Sequence, residues 1–153
     1  MSNLLVQNIK HTNNTTAQTI DTSGRTTAVL NNDTTFRSDG GAVTQNLVQG
    51  LAKHWVNFNG ESTPTIQDSL NSASLVDNGT GDYATNLTNN MSNNNYGFSL
   101  ATGGNDSDLW GIASEQRSTS QIEITTKYHA NGNSAVLVAD RTSMSSKITG
   151  DLA

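Results

Sequence analysis

The sequence predicts an all-β chain: an antiparallel β-sandwich domain, preceded by an extended N-terminal arm and a short helical or coiled segment. Three observations lead there. Hydrophobic residues make up only 33% of the 153 residues and charged residues 14%, while Asn, Thr and Ser fill roughly two-fifths, a balance far more polar than ordinary domains. Chains of low hydrophobicity stay unfolded mainly when their net charge is high, and here the formal charge is −5. Second, short runs such as Ile122-Glu123-Ile124 and Ala135-Val136-Leu137-Val138 carry the β-branched and aliphatic residues that suit strands. Third, turn signals recur at a spacing of roughly 10–15 residues through the second half, the rhythm of a sandwich.

Residues 1–41 read as an arm. Residues 3–10 alternate loosely, and residues 16–29 form two short strands around Thr22-Ser23-Gly24-Arg25, with Gly24 free to take positive φ. Residues 31–41 collect Asn, Asp, Ser and Gly and read as loop. This third holds few large apolar residues, so Leu4, Val6 and Ile9 are expected to lie against another surface. Residues 42–53 change character. Val43, Leu47 and Leu51 recur every four residues, the spacing of one helix face. Gly50 weakens that helix by about 1 kcal/mol relative to Ala. The stripe serves either an oligomer axis, with three copies meeting there, or packing on its own domain.

Residues 54–140 carry the sandwich. Lys53–Asn59 forms a strand with Val56 and Phe58 on one face, and Trp55 is expected in the core. Ser72–Val76, the polar turn Asp77–Asp82 and the alternating Tyr83, Thr85 and Leu87 make a hairpin. Asn95–Leu100 places Tyr96, Phe98 and Leu100 on one face. Leu109–Ala113, Gln121–Tyr128 and Ser134–Asp140 complete about seven strands. Residues 141–153 are rich in Ser and Thr and read as a loose tail. So little apolar material leaves a monomer short of core, and other copies of the chain are expected to supply contacts.

Two stretches carry a resemblance. Leu51-Ala52-Lys53-His54-Trp55-Val56-Asn57-Phe58-Asn59-Gly60, followed by Asp77-Asn78-Gly79-Thr80-Gly81-Asp82-Tyr83, resembles a module of tail fibres and other virion appendages of tailed bacteriophages, especially marine ones. Residues 11–25 are similar to the leaders of small phage structural proteins. The two matches together span most of residues 4–100. The resemblance implies a non-enzymatic structural protein located in the virion: a trimeric fibre- or knob-like appendage with residues 1–41 as attachment arm, 42–53 as oligomerisation linker and 54–140 facing outward. A capsid decoration or cement protein is the alternative. A free carbohydrate-binding or hydrolytic module is a second.

The chemistry in the sequence points the same way. Cysteine is absent, which removes disulfides and Cys-based zinc sites. A pI near 4.9 and scattered basic residues argue against nucleic acid, and no apolar run has the length of a membrane span. His11, His54 and His129 stand on separate elements, and no Gly-x-Ser-x-Gly elbow is present. Asn105-Asp106-Ser107-Asp108 lacks the Gly and Glu positions of an EF-hand loop and reads as an acidic turn. Glu61 and Asp68 have nothing to fix them as a hydrolytic pair. No cofactor, metal or catalytic residue is therefore expected. The expected partners are further copies of the chain and, as the resemblance implies, other virion proteins and a host surface glycan. Trp110 is either a sugar-stacking platform or a core residue.

Overall fold

The computed structural model describes residues 8–10, 16–31, 33–37, 41, 43–103, 109–112, 117–129 and 135–153. Leu4 and Val6, His11, and the Asn105–Asp108 turn lie outside them. The chain divides into two compact units, residues 1–48 and 49–153.

The first unit is thin. β1 (Asn8–Lys10), β2 (Thr16–Ile20) and β3 (Thr26–Ala28) form one antiparallel sheet in that order. The turn between β2 and β3 is built by Asp21, whose Oδ1 accepts from the amides of Ser23 (2.8 Å) and Arg25 (2.9 Å), with Gly24 at φ 76°. The Arg25 amide and side chain hold the Asp21 carboxyl below its ordinary value. β4 (Thr35–Arg37) pairs with β5 (Thr44–Asn46), so residues 31–41 are not all loop: Phe36 and its Thr neighbour supply enough β character for a ladder.

Residues 43–53 of the segment expected to be helical do not form one helix. Residues 44–46 belong to β5, the helix α1 is the single turn Leu47–Gly50, and β6 (Ala52–Asn59) takes the remainder. The four-residue spacing therefore follows no single helix: Val43 precedes β5, Leu47 opens α1 and Leu51 lies between α1 and β6. One helical turn closes too few hydrogen bonds to compete with strand pairing on both sides. Val43 is 78% and Leu51 47% exposed.

The second unit is a sandwich of antiparallel sheets. β7 (Thr65–Leu70), β8 (Ser72–Gly79), β9 (Asp82–Leu87), β10 (Gly97–Gly103), β11 (Leu109–Ile112), β12 (Gln121–His129), β13 (Val136–Val138) and β14 (Ser143–Thr149) follow β6. One sheet runs β10-β14-β6-β7; the other runs β11-β12-β9-β8, with β13 also on β12. Val56 and Phe58 of β6 and Met144 and Ile148 of β14 meet Tyr83 and Leu87 of β9 and Ile122 and Ile124 of β12 in one core. Alternation along each strand supplies these inward positions. The predicted 72–87 hairpin is β8 and β9, and Phe98 and Leu100 pack against the core from β10 as their alternation predicts.

The C-terminal segment is the largest departure. Instead of a loose tail, β14 lies in the middle of its sheet, paired with β10 on one side and β6 on the other. Its Ser residues fill both faces, and Met144 and Ile148 anchor it in the core. The chain passes between the sheets at Asn71, at φ 60° between β7 and β8. Asn tolerates this left-handed conformation better than most residues. Its amide nitrogen donates to the Lys53 and Asn89 carbonyls, each at 3.0 Å, and its Oδ1 accepts from the Asn89 amide at 2.6 Å.

Candidate functional site

The most distinctive stretch of the sequence turns out to be structural. Gly60 ends β6, and a Cβ there would stand 2.5 Å from the Tyr83 hydroxyl. That hydroxyl lies 2.8 Å from the Gly60 carbonyl and 2.5 Å from Asp140 Oδ1, which also accepts from the Gly81 amide at 2.7 Å. Gly81, at φ 66°, leaves no room for a Cβ against the Ala139 backbone, 2.9 Å away. Thr126 donates its amide to the Gly81 carbonyl at 2.7 Å. Burial, reinforced by the Asp140 carboxylate, pushes the Tyr83 phenol well above its ordinary pKa. Tyr83 also meets Phe58 edge-on, ring centres 5.3 Å apart. The glycines and the Tyr thus latch the two sheets together.

Buried His54 and half-buried Ser72 form a second polar pair. Ser72 Oγ is 2.9 Å from His54 Nε2, and His54 Nδ1 is buried without a partner. Burial lowers His54 to about 4, so the ring is neutral at pH 7. A Ser–His pair with no acid behind it lacks the third group that orients a catalytic histidine.

Among the described residues, one surface with room for a ligand is the outer face of the β10-β14-β6-β7 sheet. Since Val56 and Phe58 point inward, period-two alternation turns Trp55 and Asn57 outward, and Trp55 is half-buried on that face rather than in the core. A groove of about 380 Å³ runs beside it, lined by Asn57, Ser99, Ala101, Ser145 and Lys147. Lys147 stands directly across from Trp55 on β14 and from Ser99 on β10. Two registered pairs further along β10 and β14, at Gly97 and Thr149, a polar recess of about 260 Å³ opens, with Gln49, Asn93, Asn95 and Asp151 around it. Gln49 donates to Asp151 Oδ2 at 3.3 Å, while Asp151 Oδ1 is buried without a partner.

The sequence-derived site residues are dispersed. Ile9 is 51% exposed in β1. Trp110 pairs through its backbone with Tyr128 in β11, and its side chain lies outside the described residues. Glu61 and Asp68 are both exposed and line neither recess. Among the described residues no group of three His, Cys, Asp or Glu side chains is placed to hold a metal. Trp55 is the residue that sequence reasoning misplaced, and the signal was present: two inward neighbours at 56 and 58 require an outward 55. No protein-family model, no curated protein and no solved structure matches the chain.

Proposed function

We propose that this chain is a non-enzymatic structural protein of a tailed-bacteriophage virion. It forms a trimeric fibre- or knob-like appendage, with the first unit attaching to the particle and the sandwich facing outward to contact the host surface. One observation carries the reading. Among the described residues every buried apolar side chain belongs to the second unit, whereas the first exposes Ile9, Val29, Leu30, Phe36 and Val43. A segment with strands but no core of its own gains its apolar contacts from another surface. The resemblance of residues 51–83 to virion appendages supplies the kind of surface. The polar, weakly charged sandwich suits a role made of contacts rather than turnover.

A density map of the phage particle tests this. The expected result is a three-fold appendage whose first unit lies against a virion protein and whose sandwich points away. Absence of the chain from purified particles would end the proposal. A position on the shell surface would move the chain to the capsid-decoration alternative.

A further inference from the structure

We propose that the outer face of the β10-β14-β6-β7 sheet binds a neutral glycan chain, stacked on Trp55 and hydrogen-bonded along β14 as far as Asp151. The inference rests on the reading of the sandwich as the outward-facing domain and names what that domain touches.

The floor is small and hydroxyl-bearing. β10 presents Gly97, Ser99, Ala101 and Gly103 outward, opposite Thr149, Lys147, Ser145 and Ser143 of β14. Trp55 and Asn57 rise from β6 as the wall beside this floor. A pyranose ring has a flat face of C–H groups and a rim of hydroxyls. An indole plane matches the first, and amide, hydroxyl and carboxylate groups match the second. Ser99, Ser143 and Lys147 are exposed on this floor and offer such groups to the rim.

Three features select a glycan over other occupants. Seven residues of β14 span about 20 Å, and three strands about 10 Å, a patch of roughly 200 Å², against the ~800 Å² per partner of a stable protein interface. An added peptide strand needs unpaired backbone groups, but β14 is paired on both sides. Lys53 and Lys147 on this face are offset by Asp151, whose charge acts on Lys53, and by Asp68, which faces the same way opposite Asn57. The face therefore favours neither strongly anionic nor strongly cationic chains.

The test uses the full chain on an array of soluble neutral oligosaccharides of glucose, mannose and galactose in α and β linkage, followed by calorimetry on any ligand found. The wild type is expected to bind at least one of these saturably. Trp55→Ala should weaken binding by about tenfold or more, and Asp151→Asn should weaken it less. Ser145→Trp, which fills the groove, should abolish it. Circular dichroism and Tm of each variant show that the fold is retained, and Trp55→Ala removes only a half-buried surface ring if Ser145→Trp fails that check. The proposal is overturned by a wild type that binds none of the array, by binding that survives both Trp55→Ala and Ser145→Trp, or by binding that is lost with Trp110→Ala instead. Dissociation of the oligomer by Ser145→Trp in light scattering would also overturn it, since the face would then be an interface between copies. None of these outcomes touches whether the chain enters particles, so this inference can fail while the virion reading stands.

Discussion

The hydroxyl of Tyr83 lies 2.8 Å from the carbonyl oxygen of Gly60, and its ring fills the space that a side chain at residue 60 would need. The two residues come from different sheets, so the contact closes the sandwich at one corner. It accounts for a motif that reads like a functional signature and is a packing solution.

Substitutions at that corner should therefore act on stability. Tyr83→Phe removes the hydroxyl donor facing Asp140 and the Gly60 carbonyl, and the expected loss is about 1–3 kcal/mol. Gly60→Ala must displace the Tyr83 ring, so its loss should be at least as large. Urea unfolding monitored by circular dichroism checks both. A Gly60→Ala protein as stable as wild type would show that the corner is loosely packed.

His54 gives the sandwich an acid limit. Its folded pKa of about 4 lies below the ordinary value of 6.5, because burial disfavours the charged ring. The unfolded chain thus binds the proton first as pH falls. Stability from this group is full above about pH 6.5 and is lost progressively down to about pH 4, by at most about 3 kcal/mol. Unfolding midpoints at pH 7 and pH 4.5, compared between wild type and His54→Leu, isolate the contribution from that of the carboxylates. The variant should show the shallower decline, and equal slopes would remove His54 from the account.

The link between the sheets depends on Asn71. Asn71→Ala keeps an unfavourable left-handed backbone, costing on the order of 1 kcal/mol, and abandons three hydrogen bonds to Lys53 and Asn89. Asn71→Gly loses the same bonds without the backbone strain. Thermal melts should rank the proteins wild type, then Gly, then Ala. The reverse order for the two variants would mean that the left-handed geometry is not what the site selects.

Much of the fold was legible wherever period-two alternation was strong. Val56 and Phe58, the 72–87 hairpin, and Phe98 with Leu100 stand where alternation puts them, because a half-buried strand leaves that mark in sequence. β14 was hidden because its polar positions are mostly Ser and Thr, which resemble a tail until pairing on both sides is known. The stripe of Val43, Leu47 and Leu51 misled because a four-residue spacing also arises by chance where a short strand and one helical turn follow each other between loop positions. The groove depends on which strands are neighbours, and β10 beside β14 joins residues forty or more positions apart. No local pattern announces that pairing.

The division of labour between the units is open to a direct measurement. A chain starting at Gln49 retains the complete sandwich, so it should fold with a melting temperature close to that of the full protein. If the proposed virion role holds, the full chain expressed during infection should be incorporated into purified particles, whereas the Gln49 chain expressed in its place should be missing from them. Quantitative mass spectrometry of those particles reads the outcome. Depletion of the Gln49 chain to background, with its fold intact, is the predicted result. Incorporation at the full chain's level would contradict the assignment of attachment to the first unit.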